Sequence, residues 1–341
     1  AVGVASVHAE QPHAAARAQS SGAQRATATR ILDGSAVTAE EAAYANATLF
    51  HARCQEDAHP AGHFGAVVLP AALAVAEATS SSGADLLVAI VAGYETALRI
   101  GRDHVVDLSA RGFRSTSAYG VFGAAAAAAR LRRLDAERTA HALAIAANAA
   151  CGLRAFVAAG SDEYAFHAAF AAQNGLMAAA LAANGADGPL DVLESDAGFF
   201  AAFGTAGCDY SKRIAEGLGE QFEMERVTFK PYPTCQFHRA FIAGLMRLRA
   251  QAGTTPASSI EIRMHPVEAD FWGVRFTGPF RRFSQAFMSA PFCAAVAWIR
   301  GNVRFADLHD FDDPDVQALV ERVFIVSDPR RERYRPSLHV T

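Results

Sequence analysis

Lysine is nearly missing from this chain: of 31 Lys and Arg residues together, only Lys212 and Lys230 are lysine. Codon bias in an Ala- and Arg-rich sequence is the bland explanation. Yet Arg replaces Lys on a solvated surface more readily than at a site that needs a compact, tunable ammonium. Each surviving Lys is therefore a mild pointer to chemistry. Cysteine is sparse too. Cys54, Cys151, Cys208, Cys235 and Cys293 form an odd, scattered set without a CxxC pair. That argues against a disulfide framework and a structural zinc site, and for a reducing compartment. Long apolar runs are lacking: the run at 121–129 meets Arg130, Arg132 and Arg133 well short of the roughly 20 residues a bilayer demands. The N-terminus shows no basic, apolar and cleavage-site succession of a signal peptide, so a cytoplasmic location is expected. It starts at Ala1 rather than Met, which points to a shortened chain. Nucleotide, zinc-protease and serine-hydrolase signatures (GxxxxGK[ST], GxGxxG, HExxH, GxSxG) do not occur. With a net charge of −4, no global field favours nucleic acid.

What is present is apolar and helical. At 341 residues with 51% hydrophobic content, the chain exceeds the roughly 250–300 residues at which one core stops growing, so two domains are expected. Thr38 and Glu41 form a capping box that opens a helix. Leu86, Ile90, Val91 and Tyr94 share one helical face. Residues 119–131 are Ala-rich and apolar nearly all round, the pattern of a buried helix whose neighbours approach closely. Helical texture continues at 135–150, 166–183 and 189–193. Up to about Gly219 the reading is an all-α domain (1–219). Beyond it, 220–341 reads as a smaller α+β domain. Strands are expected at 226–229, 259–264, 323–327 and 337–341, with helices at 237–248, 286–299 and 313–320. The fold class is mainly α.

Three segments gather polar groups among apolar text. QEDAHPAGH at 55–63 packs Glu56, Asp57, His59 and His63 into a loop that Pro60 and Gly62 keep non-helical. Histidine suits proton transfer near neutrality, so an acid/base cluster competes here with a solvated turn. A metal site of Asp57, His59 and His63 would need a further ligand. FKPYPTCQFH at 229–238 delivers Lys230 from a strand, stiffens the turn with two prolines and offers Thr234 as a helix cap. That arrangement suits a carboxylate, against the reading of a proline-rich connector with Cys235 in the core. GFRST at 112–116 holds Arg114, a bidentate carboxylate binder by type. His167, in an Ala-rich helix, reads first as a hydrogen-bonded core histidine.

Taken in order, these segments resemble the MmgE/PrpD family. The matching text is HPAGHFGAVVLPAALAVAE from His59, GADLLVAIVAGYETALRIG from Gly83 and GFRSTSAYGVFGAAAAAARLRRLD from Gly112. HAAFAAQNGLMAAALAANGADGP from His167, VLESDAGFF from Val192, FKPYPTCQFHRAFIAG from Phe229 and RRFSQAFMSAPFCAA from Arg281 follow it. The resemblance implies a large all-α domain with a smaller α+β lid, a site between them, a homodimer, and proton removal next to a carboxylate without metal or other cofactor. By position it implies His63 as the acid/base histidine, Asp57 beside it and Lys230 as the "KPYP" lysine. His59, Arg114, Tyr164, His167 and Cys235 complete the implied site as substrate-binding residues. The sequence departs from the family where Arg114 stands for a frequent His, Tyr164 for a Lys of several members, and Cys235 for a His of some. The implied activity is a lyase, most simply a dehydratase of a β-hydroxy acid or ester, with epimerase, isomerase, decarboxylase and a non-catalytic binding relative as alternatives. A small carboxylate- or carbonyl-bearing substrate is the expected partner, with neither nucleic acid nor membrane.

Overall fold

The computed structural model describes residues 26–253 and 255–341; the start of the expected first domain, residues 1–25, lies outside them. The chain divides into two units, described separately. The first runs up to Arg154 and resumes over Glu163–Phe229; the second joins Ala155–Asp162 to Lys230–Thr341. The described residues are mainly α.

In the first unit the helices are α1 (Ala39–His51), α2 (Gly65–Ala78), α3 (Gly83–Gly101), α4 (Val105–Ala110), α5 (Ser115–Leu131) and α6 (Ala136–Ala147). The second unit's α7 (Ala155–Ala159) interrupts them before α8 (Tyr164–Ala183) and α9 (Phe199–Phe203). Thr38 caps α1 through its side chain while Glu41 reaches back to the Thr38 N–H, so the capping box is formed. The all-round apolar α5 is buried along nearly its whole length. It packs on α2, α3, α6 and α8, and small residues permit it. A Cβ on Gly93 of α3 would lie 2.7 Å from the Gly123 carbonyl oxygen of α5, and one on Gly123 equally close to the Gly93 carbonyl.

The unit is not purely helical, which corrects the all-α expectation. Strands β1 (Ala28–Arg30) and β2 (Ser35–Val37) form an antiparallel hairpin, its turn tied by the Arg30–Asp33 ion pair at 2.7 Å and by Gly34 at φ +73°. Three-residue strands are too short to show period-two alternation. Strand β3 (Asp57–Ala58) pairs antiparallel with β4 (Thr228–Phe229). Residues 190–194 are turns rather than helix; the Val192 carbonyl is taken by Phe199 N at 2.7 Å, so no helical ladder continues.

The second unit carries a three-stranded sheet, order β6-β5-β7, from β5 (Ile260–Met264), β6 (Val323–Ser327) and β7 (Ser337–Val340). β5 runs parallel to β6 and antiparallel to β7. Ile260, Ile262 and Met264 are fully buried on one face, as the alternation predicts. The helices are α10 (Arg239–Ala252), α11 (Pro266–Ala269), α12 (Phe283–Met288), α13 (Ala290–Arg300) and α14 (Pro314–Val320). The helix expected at 286–299 is split at Ser289, whose hydroxyl caps α13 at Phe292 N. Thr234 does not cap α10: its hydroxyl donates to the Cys235 carbonyl at 3.3 Å, and a short 3₁₀ turn at Gln236–His238 intervenes.

Candidate active site

The loop between α1 and α2 sets the site. His59 and Gly62 exchange backbone hydrogen bonds at 3.0 Å across Pro60 and Ala61. Gly62 takes φ +156°, and a Cβ there would meet Thr116 Cα at 3.3 Å, so the turn both needs glycine's freedom and runs close to the start of α5. The next residue, His63, is held twice. Its N–H donates to Thr116 Oγ1 at 3.2 Å, and its Nδ1 lies 2.8 Å from the Asp57 carbonyl oxygen. A carbonyl only accepts, so the ring proton sits on Nδ1 and the basic lone pair on Nε2. The His63 side chain keeps 16% of its surface exposed.

The Asp57 side chain is turned elsewhere. One carboxylate oxygen accepts from Gly65 N at 2.9 Å and the other from the Tyr94 hydroxyl at 3.0 Å. Burial, then the Asp57 charge, push the Tyr94 phenol upward, so it stays a donor. Asp57 thus ties the loop to the start of α2 and to α3 by its carboxylate, and orients His63 by its backbone.

Around His63 the first unit gathers groups from three helices. Glu56 Oε1 lies 3.7 Å from His63 Nδ1 and 3.5 Å from His51 Nδ1. His51, the last residue of α1, is fully buried, and its Nε2 is 2.7 Å from Nη2 of Arg114. The Arg114 guanidinium also stands over the Tyr164 ring, 5.9 Å from its centroid. Tyr164 donates to the Ala52 carbonyl at 3.3 Å and meets the His51 ring edge-on. His167, one turn further along α8, is lowered to about 3 by burial first, then by the charge of Arg114. It is neutral near pH 7. The structure therefore brings His63, Arg114, Tyr164 and His167 together and adds His51 to them. His51 carried no motif; its only signal was a histidine at the end of an otherwise Ala-rich buried helix.

His59 faces away from this cluster. Its Nδ1 accepts from Ala61 N at 3.1 Å, and its Nε2 lies 3.5 Å from Glu223, which also binds Arg102 and Arg226. Burial first, then Arg226, lower His59 to about 4 against the pull of Glu223. In the second unit, Lys230 is buried. His238 near it is lowered to about 3, by burial and then by the Lys230 charge. Cys235 is buried, its N–H donating to the Phe287 carbonyl at 3.0 Å.

Chemically, the cluster offers a basic imidazole nitrogen beside a carboxylate and a fixed guanidinium, the parts for moving a proton and holding an anion. Among the described residues, no group of three or more His, Cys, Asp or Glu could hold a metal ion. No described helix is long and apolar enough to cross a membrane.

Comparisons with known proteins agree with the segments quoted above. The cis-aconitate decarboxylase-like protein oryM of Aspergillus oryzae is 36% identical over 199 residues, 55% of this chain and 39% of that protein. The cis-aconitate decarboxylases of Aspergillus terreus and Homo sapiens are 30% and 33% identical over 57% and 56% of the chain. The matches span 42% and 40% of those two proteins, so the similarity covers well under half of each relative. The MmgE/PrpD N-terminal domain model matches residues 1–209 and the MmgE/PrpD C-terminal domain model residues 232–340. The chain belongs to the MmgE/PrpD family.

Proposed function

We propose that this protein is a cofactor-independent lyase in which His63 Nε2 moves a proton at a carbon next to a carboxylate or carbonyl. The observation that carries the reading is the Asp57 carbonyl 2.8 Å from His63 Nδ1, which directs the basic lone pair to the other ring nitrogen. As Nε2 takes up a proton the ring becomes cationic, and Glu56, 3.7 Å away, favours that charge. Arg114, held between His51 and Tyr164, would bind a substrate carboxylate or the enolate-like charge of the transition state. Lys230 enters the proposal as a second cation for that charge. Its support is the KPYP text in which it stands and its place in the chain directly after β4.

Two reactions share this machinery. In dehydration of a β-hydroxy acid, His63 takes the proton next to the carboxylate, the freed pair forms the C=C bond, and the hydroxyl leaves with a proton as water. In decarboxylation of a cis-aconitate-like acid, the C–C bond to the leaving carboxylate breaks and its pair returns to carbon. A proton is delivered there as CO₂ departs. The names of the relatives favour testing the second first. An epimerase or isomerase would use the same first proton step.

The test is to incubate the purified chain in D₂O with cis-aconitate and with a panel of β-hydroxy acids and esters. Proton NMR follows deuterium entry next to the carboxylate, and headspace analysis follows CO₂. Deuterium incorporation abolished by His63→Gln supports the reading. No exchange and no turnover with any acid, despite a folded chain, would move the protein to a non-catalytic, small-molecule-binding role.

A further inference from the structure

Glu56 is a nearly buried carboxylate whose Oε1 faces two imidazoles, His63 at 3.7 Å and His51 at 3.5 Å. His51 itself is fully buried and too deep to meet substrate. Its ring is nevertheless placed between two charged groups, Glu56 at Nδ1 and Arg114 at Nε2. The polar groups around it include Glu56 and His63 from the loop, Arg114 from the start of α5, and Tyr164 and His167 from α8.

The chemistry of Arg114 decides the state of that ring. A guanidinium has only donors and does not deprotonate, so at 2.7 Å His51 Nε2 must be the acceptor. A neutral imidazole accepting at Nε2 carries its proton on Nδ1, the side that faces Glu56. We infer that His51 is a positioning residue, locked by Arg114 as the neutral Nδ1–H tautomer, so that its N–H side faces Glu56 Oε1 at 3.5 Å, a charge–dipole contact longer than a formed hydrogen bond, and favours that carboxylate beside His63. His51 would thereby link the anion-binding guanidinium to the carboxylate that favours the imidazolium form of His63. A protonated His51 would put a donor against the guanidinium and lose the bond. This inference rests on the reading of His63 as the base.

The inference has a test that does not need turnover. Histidine-selective ¹⁵N labelling of the full chain, at pH 7.5, gives one-bond and two-bond couplings that separate the two tautomers of each ring. The His51 signals are assigned as those missing from His51→Gln. A pyrrole-like Nδ1 and a pyridine-like Nε2 are expected for His51; the reverse pattern, or a doubly protonated ring, overturns the inference even if no substrate is found.

Where the chain turns over substrate, two amide variants divide the roles. His51→Asn keeps a donor near the Nδ1 position but does not reach Arg114, so KM should rise about tenfold or more with kcat within a few-fold. His51→Gln keeps an acceptor for Arg114 but not the N–H that faces Glu56, so kcat should fall about tenfold or more with KM little changed. The rise in KM has the size of losing the charge-assisted hydrogen bond from Arg114, and the fall in kcat is that of removing the N–H that faces the Glu56 carboxylate. Equal losses in both variants, or none in either, would reduce His51 to packing. A normal His51 tautomer signature in a chain without activity would sink the catalytic reading while leaving the positioning geometry in place.

Discussion

The carbonyl oxygen of Asp57 sits 2.8 Å from Nδ1 of His63, while the carboxylate of the same Asp57 is spent on Gly65 N and the Tyr94 hydroxyl. One residue thus orients the candidate base through its backbone and anchors the loop through its side chain. The carboxylate beside the imidazole is that of Glu56, one position earlier. If His63 moves the proton, His63→Gln should lower kcat by about 10² to 10⁴ with the melting temperature nearly unchanged. His141 provides the control. It is half-buried on α6, its Nδ1 3.0 Å from the Gly188 carbonyl, so His141→Gln should lower the melting temperature and leave kcat within a few-fold. The reverse pattern in circular-dichroism melts and rate measurements would refute the assignment.

The α3–α5 crossing gives a prediction about stability alone. Each of Gly93 and Gly123 has the other's carbonyl oxygen 2.7 Å from where a Cβ would sit. The obstacle is backbone, which cannot rotate aside. Gly93→Ala or Gly123→Ala should therefore destabilise by about 1–3 kcal/mol, the usual cost of overpacking. Denaturant unfolding monitored by tryptophan fluorescence or circular dichroism checks it, and a neutral or stabilising alanine would contradict the close approach.

The same crossing shows what was legible beforehand. The all-round apolar text of α5 announced a buried helix with close neighbours, and the period-two text at 259–264 announced β5. Both patterns are local, repeated over several residues and driven by burial. The β1–β2 hairpin and the β3–β4 pair were not announced in this form, because two or three residues hold no period and the pairing is decided by partners far along the chain. In the candidate site, His63 and Arg114 were singled out by residue type and motif, and the structure brings them together around His51. His51 was not: its role depends on where the end of α1 lies in space relative to Arg114, 63 positions away. Asp57 was named as a candidate beside His63, but whether its carbonyl or its carboxylate does the orienting is a matter of backbone direction, which residue type does not carry.

Four buried histidines should make the fold acid-sensitive. His59 and His104 are lowered to about 4, and His167 and His238 to about 3, burial being the largest cause in each. The usual value near 6.5 holds in the unfolded chain. With folded values depressed, the unfolded chain binds protons that the folded chain refuses, so stability is complete above about 6.5 and declines as pH falls below it. Thermal melts between pH 7.5 and 5 should show a steadily falling melting temperature. His167→Gln should make the decline shallower. A melting temperature flat or rising toward pH 5 would show that these rings accept protons in place.

Tyr94 and Gly65 test the anchoring role of Asp57. Tyr94→Phe removes one donor from a buried carboxylate while keeping the ring, and should destabilise by about 1.5–3 kcal/mol. Gly65→Ala would drive a methyl to 2.5 Å from the Tyr94 hydroxyl oxygen and 2.6 Å from Asp57 Oδ1, so it should disturb the same pair. Because the two changes act on one contact, their effects should not add: the double variant should lose less than the sum of the singles. Additive losses in urea titrations would separate Gly65 from the Asp57–Tyr94 bond.

Lys230 tests the anion-holding half of the proposal. Met is the informative replacement, since it removes the ammonium and keeps an unbranched, flexible stem of similar shape. The burial of Lys230 makes a smaller residue a poor choice, because a cavity would confuse binding with stability. If its charge meets a substrate carboxylate, Lys230→Met should raise KM by about 10- to 100-fold, the equivalent of one hydrogen bond to a charged group, with a smaller effect on kcat. If the charge instead meets only the enolate-like transition state, kcat and kcat/KM should fall together while KM stays put. Lys212, exposed on the surface, is the control, and Lys212→Met should change neither constant. A Lys230→Met enzyme with unaltered KM and kcat would leave Lys230 as a buried structural charge, and the anion-binding role would then rest on Arg114 alone.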